Sequence, residues 1–292
     1  MKVAALAFTA VCSTAAAAAV CTGKSADLPA KECAAWQDFY DALGGPAWSN
    51  FGSDGRADPC SVKSKIGDPC KGGPAAGAAA ARRLEQQHQL RQQEQRRRLA
   101  EGSGGALALA FPPWQEPDAG VCCQVNAATG QKHITQLAFA INNLRGAVPA
   151  SILDLEALDN LSCCNNAING TVPPLPASLQ FLRMSTNKLT GVDASLAAGG
   201  NSALTFLSLR DNAIEGPLPN FPASLARLTD LYMDCNKLSG PVPKGYGNFS
   251  LPDKCFISAS TLLETCGGTW DNAFDCPLPG DVKKNCHAVC KK

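Results

Sequence analysis

Asn142, Asn166, Asn187, Asn212 and Asn236 lie 24, 21, 25 and 24 residues apart, and each sits at the same place in one short motif. The first copy reads Leu137-x-Phe139-x-x-Asn142-x-Leu144-x-Gly146-x-Val148-Pro149. Leu161, Cys163, Asn166, Ile168, Gly170, Val172 and Pro173 repeat it. Leu182, Met184, Asn187, Leu189 and Gly191 begin a third copy, which then breaks at Asp193. Leu207, Leu209, Asn212, Ile214, Gly216, Leu218 and Pro219 complete a fourth, and Leu231, Met233, Asn236, Leu238, Gly240, Val242 and Pro243 a fifth. A second mark, Ala-Ser followed by Ile or Leu, recurs from Ala150, Ala177, Ala194 and Ala223. Scattered core leucines would not keep two patterns in phase, so residues 134–243 form a solenoid of stacked coils.

Each motif position has a physical task. The Leu-x-Leu pair is a short strand whose alternate side chains point inward, and one coil alone cannot bury them. Coils stacked about 4.8 Å apart join these strands into a parallel sheet over one continuous core. The asparagine can satisfy backbone groups where the chain turns. Glycine permits the bend, and the aliphatic-proline step crosses the convex side without a backbone donor.

These residues resemble the plant-type extracellular leucine-rich repeats, L-x-x-L-x-L-x-x-N-x-L-x-G-x-[IV]-P, of receptor-kinase ectodomains and polygalacturonase-inhibiting proteins. The resemblance covers the central run closely and the two ends loosely. It implies a short curved horseshoe with a parallel β-sheet on its concave face, an irregular or 3-10 convex side and disulfide-stapled caps. It also implies a binding scaffold, with ligands on or beside the sheet.

Residues 1–19 read as a secretory signal: Lys2, an apolar run from Val3 to Val11, then alanines at 15 to 19. Nothing downstream is long and apolar enough to span a bilayer. Of fifteen cysteines, Cys12 leaves with the signal. The rest are expected to be mostly disulfides of a secreted chain. Cys21, Cys33, Cys60, Cys70, Cys122 and Cys123 precede the repeats; Cys255, Cys266, Cys276, Cys286 and Cys290 follow them. Open solenoid ends need such covalent caps. Asn160, Asn169 and Asn248 each begin a glycosylation sequon.

The first part of the N-terminal cap spans residues 20–70 and the second 114–133. Residues 31–43 are expected to be helical, with Cys33, Trp36, Phe39, Tyr40 and Leu43 on one face and Gly44-Gly45-Pro46 as the stop. Ala42 to Trp48, Asp58-Pro59-Cys60 and Gly120-Val121-Cys122 are similar to the cap of the same family. There the tryptophan packs on the first coil and the two cysteines pair, which implies Cys60–Cys122, with Cys70 and Cys123 as competitors. Residues 71–113 are an Ala/Gln/Arg-rich insert. Six arginines against three glutamates between Arg82 and Glu101 give it a local charge of +3, in a chain of only +1. Its apolar residues form no stripe, so it reads as a solvated helix or a looped-out segment rather than a basic arm. It lacks the aromatics of single-strand nucleic-acid binding.

Residues 244–292 are expected to hold a degenerate sixth repeat and a Cys-rich cap. Two registers are open. Cys255-Phe256-Ile257 can be the sixth strand with Ser260 in the asparagine place, or the coil can resume at Asn272 with Cys276 where glycine stood. Zinc binding by Cys286, His287 and Cys290 lacks a second pair of ligands, and disulfides suit a secreted chain better. No nucleophile elbow, His-Glu-x-x-His or phosphate loop occurs. The acidic residues read as solvated charge, so neither catalysis nor a cofactor is expected.

What remains is the outward side of the sheet, read by strand alternation. One column runs Gln136, Asn160, Phe181, Phe206 and Asp230; the next Ala138, Ser162, Arg183, Ser208, Tyr232 and Phe256. Beyond them run Ala140, Cys164, Ser185, Arg210 and Asp234, then Ile141, Asn165, Thr186, Asp211 and Cys235. The candidate ligand face is Phe181, Arg183, Phe206, Arg210, Asp211, Asp230, Tyr232, Asp234 and Phe256, because aromatics and arginine among acids make interface centres. Cross-strand stiffening is the simpler use of such rings. The expected role is a secreted, extracellular or cell-wall recognition protein for a protein or peptide, by resemblance a hydrolase inhibitor or soluble co-receptor. The rival is a wall component binding polysaccharide.

Overall fold

A computed structural model of the 292-residue chain describes residues 20–49, 53–63, 70, 120–198, 200, 203–249, 254–258, 266, 271–286 and 288–291. The signal at 1–19, the insert at 71–113, His88, His287, Ser250 and Ser260 lie outside the described residues.

Seven strands form the main sheet: β1 (Gly120–Val125), β2 (Lys132–Ala138), β3 (Asn160–Ser162), β4 (Phe181–Arg183), β5 (Phe206–Ser208), β6 (Asp230–Tyr232) and β7 (Cys255–Phe256). They stand in sequence order; β1 pairs antiparallel with β2 and every later pair is parallel. Each coil thus adds one strand. Leu137, Leu161, Leu182, Leu207, Leu231 and Cys255 stand in one register row and are fully buried. Phe139, Cys163, Met184, Leu209, Met233 and Ile257 form a second fully buried row. At about 2 kcal/mol per buried large aliphatic side chain, such rows dominate the favourable side of folding.

The asparagines do what the turn demands. Asn166 Oδ1 accepts from the backbone N–H of Asn142 and Leu144 at 2.9 and 3.0 Å, and its Nδ2 donates to the carbonyls of Phe139, Cys163 and Cys164. Asn187, Asn212 and Asn236 repeat this, each binding carbonyls of its own coil and the preceding one. Asn272 continues the row: it accepts from Leu238 N–H at 2.8 Å and donates to Met233 and Ile257 carbonyls. The asparagine place of the last coil is therefore filled by Asn272. Both registers open in the sequence are used at once, for Cys255–Phe256 extends the main sheet while Ala273–Asp275 pairs with Lys237–Gly240.

The convex side carries short helical turns at Ala150–Asp154, Ala194–Ala197, Phe221–Ser224 and Lys244–Asn248. Asp193, where the third motif copy breaks, is the N-cap of one of them; its Oδ1 accepts from Ser195 N–H at 2.8 Å. Asp193 stands in the branched-aliphatic place and no proline follows it, so a side-chain cap starts this helix.

Helix α1 (Ala30–Ala42) closes the N-terminal end. Cys33, Trp36, Phe39, Tyr40 and Leu43 are all buried, as the spacing requires. Trp48 lies 4.7 Å from the Phe139 ring of the first coil, so the packing implied by the resemblance is present. Glu32 is buried and bridges α1 to β2, accepting from Ile134 N–H at 2.9 Å and contacting His133 Nδ1. That histidine partnership had no signal in the sequence, because the two residues lie 101 positions apart.

Among the described residues six disulfides join Cys21–Cys33, Cys60–Cys123, Cys70–Cys122, Cys235–Cys266, Cys255–Cys286 and Cys276–Cys290. The implied Cys60–Cys122 bond is corrected: Cys60 takes Cys123, and Cys70 takes Cys122. The two cysteines are neighbours on β1, where the register with β2 also slips between them, and each reaches its own partner. The eleven cap cysteines are completed by Cys235, which stands on the sheet. Cys163 and Cys164 are buried in the second coil.

Candidate functional site: the outer face of the sheet

Strand pairing places the outward columns in the expected rows. Gln136, Asn160, Phe181, Phe206 and Asp230 are register partners, as are Ala138, Ser162, Arg183, Ser208, Tyr232 and Phe256. The rows continue past the strands. Ile141, Asn165, Thr186 and Asp211 each donate their N–H to the next coil, at Cys164, Ser185, Arg210 and Asp234.

Four aromatic rings form an unbroken series across β4 to β7. Phe181 and Phe206 have centroids 6.4 Å apart, Phe206 and Tyr232 5.6 Å, and Tyr232 and Phe256 5.6 Å with nearly parallel planes. Phe181 and Phe206 occupy the first strand position and Tyr232 and Phe256 the third, so the series crosses the sheet diagonally. Beside it, Arg210 Nε lies 3.1 Å from Asp234 Oδ2, and the Ser185 and Ser208 hydroxyls are 2.6 Å apart. Thr229 Oγ1 donates to Asp230 Oδ2 at 2.7 Å.

This face is not the open surface that alternation alone suggests. Phe206, Asp230 and Asp234 are fully buried, Arg210 is 1% exposed, and Phe181, Arg183 and Tyr232 are 6–7% exposed. Phe181, Phe206, Tyr232 and Phe256 pack on one another in this row. Only Asp211 and Phe256 of the nine candidates are half-exposed. In the bland first coils Ala138, Ala140, Ser162 and Cys164 are buried too, while Gln136, Asn160 and Asn165 are half-exposed and Ile141 is 38% exposed.

The margin of the face has one repeated backbone feature. Ile141, Asn165, Thr186, Asp211 and Cys235, each just before a ladder asparagine, all have φ between 52° and 56°. Left-handed backbone is costly for non-glycine residues, above all β-branched ones, and persists only where the surroundings enforce it. Here a carbonyl of the next coil accepts the N–H of Ile141, Asn165, Thr186 and Asp211, and Asp271 Oδ1 accepts that of Cys235 at 3.4 Å. Below that margin, Asp159 precedes β3 and its carboxyl is pushed up to about 6 by burial.

Among the described residues no group of three or more His, Cys, Asp and Glu could hold a metal ion, and no helix is long and apolar enough to cross a membrane.

No family model matches the chain, and no curated protein does. Among solved structures, the chain is similar to the LRR ectodomain of the receptor kinase SOBIR1 from Arabidopsis thaliana. That match has 25% identity, 45% of this chain, 73% of that one and a TM-score of 0.40. It is also similar to the plant peptide hormone receptor RGFR1 in complex with RGF2, at 23% identity over 53% of this chain, 24% of that one and a TM-score of 0.42. A third is the ectodomain of the Arabidopsis thaliana receptor kinase GASSHO1/SCHENGEN3, at 19% identity over 62% of this chain, 22% of that one and a TM-score of 0.43. The chain thus spans under a quarter of the last two. The leucine-rich-repeat architecture rests on the chain's own asparagine ladder, its parallel sheet and its buried leucine rows.

Proposed function

We propose that this chain is a secreted, non-enzymatic recognition protein that binds an extracellular protein or peptide through the β4–β7 half of its sheet. One observation supports this above others: Arg183, Arg210, Asp230 and Asp234 are buried among aromatic rings on the side of the sheet away from the leucine core. Buried charges stabilise less than apolar residues of similar size, so stability alone does not account for them. Arginine and large rings, once desolvated, are the groups that carry most interface energy. Because this row is covered, a partner reaches it through a local opening, and association is slower than ordinary docking. Asp211 and Phe256, half-exposed at the edge, are where contact begins.

The test is capture from the extracellular medium of the source tissue, with the mature chain as bait. Changing Phe181, Arg183 and Arg210 together to alanine abolishes protein capture. Asp211→Lys, which leaves the buried row intact, weakens it at least tenfold. Retention of the same proteins by both variants would overturn the reading. Loss of retention on wall polysaccharide, with capture unchanged, would instead favour the carbohydrate-binding alternative.

A further inference from the structure

We propose that Asn169 carries an N-linked glycan and that Asn160, with a sequon of the same form, does not. The inference rests on the secretory reading above. Both sequons lie on strands: alternation turns Asn160 and Ser162 to one face, while Asn169 and Thr171 are both exposed on either side of Gly170. Their surroundings are opposite.

Asn169 and Thr171 belong to the strand Ala167–Val172, in the three-stranded flank sheet beside Arg145–Gly146 and Lys188–Val192. Ile168 and Val172 are fully buried, while Asn169 and Thr171 are exposed. Gly170 between them has φ +75°, and the pairing slips between Gly170 and Thr171. Their neighbours Arg145, Lys188 and Thr190 are exposed as well. Among the described residues no side chain or backbone group hydrogen-bonds the Asn169 amide, so a large hydrated substituent there displaces nothing.

Asn160 is different. Its Nδ2 donates to Gln136 Oε1 at 3.3 Å, its sequon hydroxyl Ser162 is only 4% exposed, and its register partner is the buried Phe181. A glycan on Asn160 would bring a hydrated oligosaccharide against that packed face, and burying such polar groups unpaired is costly. In the transfer, the Asn169 amide nitrogen attacks the anomeric carbon of a lipid-pyrophosphate-linked oligosaccharide. A C–N bond forms, the anomeric C–O bond breaks, the amide loses one proton and the lipid pyrophosphate leaves. The consequence is a sugar shield on the flank, clear of the β4–β7 row.

The full chain is to be produced in a eukaryotic secretory host, and its glycans released enzymatically in heavy-oxygen water, which marks each occupied asparagine by mass. The mark falls on Asn169 and not on Asn160. Asn169→Gln and Thr171→Ala each remove one glycan's worth of mobility, and Asn160→Gln removes none. A secreted chain unmarked at Asn169, or marked at Asn160, overturns the proposal while leaving secretion intact. A chain retained in the cell and unmarked overturns both.

Discussion

Asn212 reaches two coils at once. Its Oδ1 accepts from Leu189 N–H at 3.0 Å, and its Nδ2 donates to Met184, Leu209 and Arg210 carbonyls at 3.0 to 3.2 Å. It is only 6% exposed, so water cannot replace these bonds. Removing the side chain leaves buried backbone groups in both coils unsatisfied, at about 1–3 kcal/mol for each group. Asn212→Ala is therefore expected to lower stability by about 3 kcal/mol, read as a lower urea midpoint at unchanged slope. A loss below about 0.5 kcal/mol would mean that the ladder is decorative. Asp159 sets a pH dependence at the same scale. Burial raises its folded pKa from 3.8 to about 6, so between these values the folded chain holds more protons than the unfolded one. Stability then falls as pH rises through that window and is recovered on acidification. The Asp41 carboxyl is held low by Arg56 and that of Asp193 by Ser195, so both titrate below it. The melting temperature should rise from pH 7 to pH 5 in the wild type. Asp159→Asn should flatten that rise and match or exceed the wild type at pH 7.

At the scale of elements, the sequence speaks clearly wherever one residue type answers one local need. The Leu-x-Leu strands, the asparagine ladder and the buried face of α1 are local in that sense, and each lies where its spacing places it. The outward rows were equally legible, since alternation alone puts Arg183 beside Ser208 and Phe181 beside Phe206. What spacing could not show was whether that face is open, because burial depends on everything packed against a side chain and not on its period. Asn272 is a second case. In the fifth coil the asparagine follows the third strand position by four residues (Tyr232 to Asn236), but in the sixth by sixteen (Phe256 to Asn272). The twelve added residues split strand from ladder, so two partial motifs looked like rivals when they are halves of one coil. Disulfide choice was invisible for a related reason. Vicinal Cys122 and Cys123 are equivalent in sequence, and which of Cys70 and Cys60 each one meets depends on contacts 52 and 63 residues away along the chain.

Across the whole molecule, a stack of coils has stability that is nearly a sum over neighbours, so its ends open first unless they are tied. The covalent ties are placed accordingly. Cys60–Cys123 and Cys70–Cys122 close loops of 63 and 52 residues on the β1 edge, while Cys255–Cys286 and Cys276–Cys290 hold the opposite end. A loop of that length closed on its own is worth about 4 kcal/mol of unfolded-state entropy, less for overlapping loops that share the same chain. The third and fourth coils contain no cysteine and rely on neighbours on both sides: Leu182 and Leu207 sit between full rows and are completely buried. Reduction should therefore not melt the chain uniformly. Hydrogen exchange under mild reductant is expected to accelerate first in β1, α1 and the strands after Pro243, while β4 and β5 amides keep most of their protection. Equal acceleration in every coil would instead mean one cooperative unit, in which the caps stabilise the centre as much as the ends.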